Sequence, residues 1–317
     1  MTVPEKIAVV GCGNIGAGWA THLLARGLSV TCADPALGAE ERLRMAVARD
    51  LRLLGLDAVG ITAAIDRLTF VPTIEQAVTN CDWVQENSPE DLEVKRKVIA
   101  AIEAAAPSHA VIASSTSSIM PSLLQAKALH PERIIAGHPF IPVPLIALVE
   151  VVGGARTSEA TILAAMRFYT AIGKVPIHVR RELSGHIANR LQAALMREAF
   201  FLLEQGVASA GDIDLALTEG PGQRWAATGP FISQHLAGGP GGAAAAFANL
   251  GGALRAMWAD LGAPLLNADL QNKVETGIEG ILSETPEPVW QERRIELLRM
   301  LDRWKLDRQS EYPPSPL

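Results

Sequence analysis

An apolar run, KIAVV at residues 6–10, leads directly into Gly11, Gly13 and Gly16, and Ile15, Trp19 and Leu23 then fall on one face of a helical stretch. This is G-x-G-x-x-G in the strand, turn, helix order that gives the motif its meaning. The first glycine permits the tight turn, the second lets backbone approach a pyrophosphate, and the third allows close helix packing. The helix N-terminus favours the phosphate charge. Gly11, Gly13, Asn14, Ile15 and Gly16 are therefore the expected cofactor cradle. A second strand-like run, SVTCA, ends in Asp34, 18 residues past Gly16, where a carboxylate can accept both ribose hydroxyls of the adenosine half. The same carboxylate repels a 2′-phosphate, and no basic residue follows before Arg42, so the reading is NAD and not NADP.

The alternation continues. Short β-branched runs (LSVTCA, WVQEN, AVIASS, RIIAG, LVEVV, VPIHVR) are separated mostly by amphipathic stretches at 14–26, 40–54, 90–106 and 158–172. That pattern predicts an α/β fold, a doubly wound and mainly parallel Rossmann sheet, over residues 1–183. From Ser184 to Gly206 apolar residues recur at helical spacing, and further helices are expected at 209–218, with Ser209 as N-cap, at 265–283 and at 287–305. Residues 184–317 therefore read as an all-helical C-terminal domain, expected to carry the substrate pocket and the dimer contact. Its 237–252 stretch, rich in Gly and Ala, has few large side chains and is expected to be a mobile loop or a loosely packed helix, and the final SEYPPSPL a disordered tail.

Composition excludes several functions. The formal net charge is −6 and no basic run offers a footprint for nucleic acid. Cys12, Cys32 and Cys81 lack metal-ligand spacing and read as reduced and structural, so no metal is expected. No charged leader or membrane-length apolar run occurs, which predicts a cytoplasmic protein with no membrane partner.

Within RIIAGHPFIPVPLIALVEVVGG, His138 ends one apolar strand and Glu150 sits in the middle of another. A carboxylate among Leu148, Val149, Val151 and Val152 is costly to bury without a partner. An imidazole is a fitting one, because a carboxylate on its far nitrogen fixes the tautomer and stabilises the imidazolium formed when it takes a hydroxyl proton. Singly, each also reads as an ordinary strand residue.

GCGNIG, ENSPEDLEVK, SSTSS, HPFIPVPLIALVEVV and SGHIANR, in that order, resemble the L-3-hydroxyacyl-CoA dehydrogenase family along most of the chain. The resemblance implies that His138 is the general acid/base and Glu150 its orienting partner. It implies that Ser117 and Asn189 hydrogen-bond the reacting oxygen or the imidazole, and that Glu90 and Lys95 lie near the nicotinamide ribose. Two positions depart from the family pattern: Ile141 stands where an Asn is expected and Ser184 where a Pro is expected.

The C-terminal half is most similar to the branch of that family containing L-carnitine dehydrogenase and the lambda-crystallin type L-gulonate 3-dehydrogenases, through EGPGQRWAATGPF, and HPERIIAGHPF, LVEVVGGART and HLAGG extend the resemblance towards the carnitine enzymes. Substrates of that branch are free 3-hydroxy carboxylates, which an Arg fork can hold bidentately. Arg224 is the candidate anchor, and Trp225 a candidate pocket residue that could face a trimethylammonium group. The leading expectation is an NAD-dependent dehydrogenase of a free 3-hydroxy acid. A 3-hydroxyacyl-CoA dehydrogenase and a non-enzymatic NAD-binding structural or sensor protein stand as alternatives. Apolar helices after residue 184 predict a homodimer.

Overall fold

The computed structural model describes residues 4–307. Eight strands form one sheet: β1 (Ile7–Val10), β2 (Val30–Ala33), β3 (Leu68–Val71), β4 (Trp83–Glu86), β5 (Val111–Ser114), β6 (Ile134–Pro139), β7 (Leu148–Gly153) and β8 (Val175–Val179). Their order is β3-β2-β1-β4-β5-β6-β7-β8, parallel throughout except for the antiparallel β6–β7 pair. Seven helices interleave with them: α1 (Asn14–Ala25), α2 (Ala39–Leu53), α3 (Ala58–Ile65), α4 (Ile74–Val78), α5 (Leu92–Ala105), α6 (Pro121–Leu124) and α7 (Glu159–Ala171). The rest of the described chain is helical: α8 (Ala188–Glu204), α9 (Ala210–Thr218), α10 (Pro221–Ala237), α11 (Gly242–Asp260), α12 (Ala268–Glu284) and α13 (Glu287–Asp307). The expected fold class, a doubly wound mainly parallel sheet followed by an all-helical part, is the one observed.

Alternation along the strands splits the core between the two faces of the sheet. Ile7 and Val9 pack on one side with Trp19, Leu23, Leu43 and Tyr169, and Ala8 and Val10 on the other with Val84, Ile99 and Ile102. Trp83, Phe168 and Tyr169 form an aromatic group on the first side. Strand order reverses between β1, which neighbours β2, and β4, so the crevice outside the carboxyl ends of β1 and β4 is the topological switch point where such sheets bind ligands.

The chain divides into two compact units, one reaching to Asn189 and also taking in the chain from Arg293, the other spanning Arg190–Glu292. In the second, α9 packs on α10 and α12, and α10 packs on α11. Ser209 caps α9, accepting from the Asp212 amide at 3.1 Å.

Three sequence expectations shift. β3 was not anticipated: LTFV is a four-residue edge strand with one fully buried side chain, too short for alternation to stand out. Nor were α3, α4 and α6, the longest of which has eight residues. The long helix expected from Ser184 begins at Ala188, because Gly185 (φ 77°) and His186 (φ 48°) are left-handed. As one of the two expectations for it had it, the Gly/Ala-rich 237–252 stretch is mostly helix, α11 running from Gly242, with Gly242 and Ala246 its buried residues. The SEYPPSPL tail lies outside the described residues. No helix among them is long and apolar enough to cross a membrane.

Candidate active site

The turn after β1 is shaped by its glycines. Gly11 is left-handed (φ 86°), and a Cβ there would stand 2.7 Å from the Asn87 carbonyl oxygen. A Cβ on Gly16 would lie 1.9 Å from the Gly11 carbonyl oxygen, so α1 can approach the turn only with glycine at that position. Around Gly13, by contrast, nothing stands within 4 Å, which leaves the loop open on the side where a diphosphate must come. No side chain caps α1 and no acid occupies its first turn, so its N-terminal amides and dipole are available to an anion. Asp34 follows β2 directly, and its carboxylate is oriented by the amides of Cys12 (2.7 Å) and Ala36 (2.9 Å). Asn14 and Ile15 open α1 beside this cradle. The geometry fits a dinucleotide whose adenosine ribose meets a carboxylate.

At the carboxyl end of β4 lies a second polar group. Glu86 is fully buried and accepts from Ser114 Oγ (2.5 Å), from the Ser88 amide and hydroxyl, and from Lys95 Nζ (3.1 Å). Lys95 is itself 1% exposed and also donates to the Ser88 carbonyl (2.9 Å), with Glu90 Oε2 at 3.7 Å. Lys95 is thus a buried tie of the loop after β4, not a solvated helix residue. Glu90 Oε1 accepts from Thr116 Oγ1 (2.7 Å) and from the amides of Ser117 (2.9 Å) and Ser118 (2.8 Å), pinning the loop that carries Ser117. Burial pushes the Glu90 carboxyl up, but the Thr116 and Ser118 hydrogen bonds and the Lys95 charge outweigh it and hold the group below its ordinary range. Glu86 went unremarked in the sequence, although an acid inside WVQEN poses the same question as Glu150.

β6 and β7 pair so that His138 and Glu150 are direct cross-strand partners. His138 Nδ1 lies 2.9 Å from Glu150 Oε2, with Glu150 fully buried and His138 6% exposed. The other carboxylate oxygen accepts from the amides of Ile187 (2.8 Å) and Ala188 (3.0 Å), at the start of α8. Burial raises the Glu150 carboxyl, yet the His138 hydrogen bond and these two amides prevail and keep it below the usual carboxylate range. A carboxylate on Nδ1 assigns the proton to that nitrogen and leaves Nε2 as a lone-pair base. Beside His138 stands a second imidazole that the sequence reading passed over. His186, fully buried, has its ring centroid 5.3 Å from that of His138 and its Nε2 3.2 Å from the Thr116 carbonyl oxygen. A histidine after a glycine just ahead of a helix is a weak signal, and only the positive φ marks it.

The connection between β6 and β7, which carries Phe140 and the exposed Ile141, is held from beneath. Lys174 Nζ donates to the carbonyls of Val143 and Ile146 (2.9 Å) and lies 5.5 Å from the Trp19 ring centroid. Burial, with Arg26 nearby, pushes the Lys174 ammonium down to about 7.

Ser117 is thus placed through Glu90, and its hydroxyl lies 3.3 Å from Glu90 Oε1. Asn189, half-buried in the first turn of α8, has no side-chain hydrogen bond to His138 or Ser117 among the described residues. Arg224 and Trp225 lie in the first turns of α10, in the second unit, with Trp225 43% exposed. Ser184 is exposed in the loop before α8.

Residues 6–183 match the family description "3-hydroxyacyl-CoA dehydrogenase, NAD binding domain", and residues 185–268 match "3-hydroxyacyl-CoA dehydrogenase, C-terminal domain". An L-carnitine dehydrogenase of Streptomyces coelicolor is 47% identical over 282 residues, covering 88% of this chain and 89% of its own. One from Bacillus cereus is 42% identical over 304 residues, covering 95% and 93%. Among solved structures, a 5-formyl-3-hydroxy-2-methylpyridine 4-carboxylic acid 5-dehydrogenase, an NAD+ dependent dismutase, is similar with TM-score 0.79 and 28% identity, covering 98% of this chain and 99% of its own. The (S)-3-hydroxybutyryl-CoA dehydrogenase of Ralstonia eutropha is similar with TM-score 0.64 and 30% identity, covering 74% and 82%.

Proposed function

This chain belongs to the 3-hydroxyacyl-CoA dehydrogenase family, and we propose that this NAD-dependent oxidoreductase oxidises the 3-hydroxyl of a small free 3-hydroxy carboxylate, foremost L-carnitine, to the 3-keto acid, and catalyses the reverse reduction. The observation that carries the chemistry is the buried His138–Glu150 pair at 2.9 Å. Two relatives that cover most of the chain at 42% and 47% identity, both L-carnitine dehydrogenases, support the substrate.

Gly11, Gly13, Asn14, Ile15, Gly16 and Asp34 would hold NAD, which would accept the hydride. His138 Nε2 takes the hydroxyl proton, and Glu150 stabilises the imidazolium that results. Ser117 and Asn189 hydrogen-bond the reacting oxygen, the first held in place by Glu90. Glu90 and Lys95 order the loop beside the nicotinamide ribose. Arg224 anchors the substrate carboxylate bidentately, and the Trp225 ring faces its trimethylammonium group.

In this reading residues 1–183 hold the cofactor, and residues 184–317 supply the substrate pocket and the contact of a homodimer. Exposed Phe231, Phe247, Trp258 and Leu266 in the second unit support an interface between copies. The protein acts in the cytoplasm, with neither nucleic acid nor membrane as partner. The test is NADH formation from a panel of free 3-hydroxy acids, L-carnitine and L-gulonate included, with the keto product identified by mass spectrometry. Turnover of L-carnitine that disappears in His138→Gln, with NAD binding kept, is expected. Undiminished turnover in that variant overturns the assignment of the base.

A further inference from the structure

We propose that His186 is a ligand-binding residue of this site: a neutral imidazole whose Nε2–H donates to the Thr116 carbonyl and whose Nδ1 accepts a hydrogen bond from an O–H or N–H group that the substrate or the cofactor brings beside His138. The inference rests on His138 being the base.

The tautomer follows from the neighbour. Nε2 lies 3.2 Å from the Thr116 carbonyl oxygen, which can only accept, so Nε2 carries the proton and Nδ1 is left as the acceptor. Nδ1 is buried and meets no donor among the described residues. Buried acceptors are almost always satisfied, and one left without a donor on a ring 5.3 Å from that of His138 is a place for a ligand's donor.

The backbone supports the same conclusion. His186 takes φ 48°, directly after Gly185 at φ 77°, in the segment that would otherwise form the first turn of α8. A positive φ is uncommon outside glycine, but histidine is among the few other types enriched there, so the left-handed turn admits this imidazole and fixes where it stands. Its surroundings also keep it uncharged. Burial lowers its pKa, the Thr116 carbonyl works against that, His138 lowers it further, and the charges of Glu150 and Glu90 only partly compensate. A neutral acceptor does not compete with His138 for Glu150, whereas an imidazolium 5.3 Å away would oppose the charge that His138 must take up.

Three variants separate the two nitrogens. His186→Phe removes both, His186→Gln keeps an amide donor near the Nε2 position, and His186→Asn restores an acceptor oxygen near Nδ1 while suiting the left-handed backbone. Phe and Gln are expected to weaken the ligand that supplies the donor by about 5- to 10-fold, the worth of one neutral hydrogen bond. A raised Kd for NAD, read by titration, identifies the cofactor as the source. A raised KM at saturating NAD, with Kd unchanged, identifies the substrate. Asn is expected to recover most of the loss. In the wild-type protein with 15N-labelled imidazoles, the Nδ1 resonance of His186 is expected to stay unprotonated at neutral pH and to move when NAD or the acid that is turned over is added. Kd and KM within twofold of wild type in both Phe and Gln, or a resonance that moves with neither ligand, overturns the proposal. So does an Asn variant no better than Phe. Failure of L-carnitine alone as a substrate bears on the function proposed above, and the NAD titration and the resonance still decide the role of His186.

Discussion

Glu150→Gln keeps the size of the side chain and removes one acceptor. The native carboxylate is filled on both oxygens, Oε2 by His138 Nδ1 at 2.9 Å and Oε1 by the amides of Ile187 (2.8 Å) and Ala188 (3.0 Å). Two backbone donors cannot turn away, so they claim the single oxygen of the glutamine amide. Its NH2 group then faces His138 Nδ1, and two donors meet unless the imidazole moves its proton to Nε2. That tautomer has no lone pair where the substrate hydroxyl needs one. The expected loss in kcat/KM for oxidation is roughly 10³- to 10⁴-fold, or about 4 to 5 kcal/mol of barrier, as when a triad aspartate becomes asparagine. The loss is expected on kcat, because neither oxygen belongs to the groups proposed to hold NAD; its Kd is expected within threefold of wild type. Stability carries a second signature. Since the folded pKa of Glu150 is depressed, its contribution is complete above the unfolded carboxyl range and is lost as pH falls through the folded value. The stability gap between wild type and variant is therefore expected to close on acidification below about pH 4. Steady-state NADH formation, NAD titration and thermal melts across pH measure all three. A variant within tenfold of wild-type kcat/KM, or one that loses NAD affinity in proportion to rate, refutes the tautomer argument.

Asp34→Ala is expected to narrow the preference for NAD over NADP, and comparable affinities in the wild-type protein would remove the ribose role of that carboxylate. For Lys174, with a folded pKa of about 7, the unfolded chain binds the extra proton above neutrality, so stability rises with pH from there towards the unfolded value. Thermal melts of wild type against Lys174→Met should therefore shift in favour of wild type by on the order of 2 kcal/mol between pH 7 and 9, and a constant difference contradicts the burial argument. Arg224→Ala is expected to remove roughly 2 to 5 kcal/mol of binding for a free acid and little for a CoA thioester, with Arg224→Lys recovering part of the loss. A free acid indifferent to Arg224→Ala removes the anchor.

What the sequence made legible had strong local causes. A glycine pattern framed by strand and helix has few physical readings, and the 18-residue spacing to Asp34 narrows them further. A carboxylate in the middle of LVEVV demanded a partner, and the antiparallel register of β6 and β7 supplies His138 opposite it. What stayed hidden lacked such a cause. β3 is an edge strand of four residues with little burial, and α8 starts late because of two left-handed residues that periodicity cannot register. Lys95 lies in an amphipathic helix, so its turn inward to Glu86 depends on a tertiary partner nine positions earlier. His186 and Lys174 act through backbone carbonyls of Thr116, Val143 and Ile146, contacts that leave no trace in residue type.

The account turns on the substrate class, and one ratio tests it most directly: kcat/KM for L-carnitine over kcat/KM for a 3-hydroxyacyl-CoA thioester, measured by NADH formation in the same preparation at saturating NAD. A desolvated arginine–carboxylate contact available only to the free acid predicts a ratio of about 100 or more. A ratio below one, with the thioester the better substrate, contradicts the account.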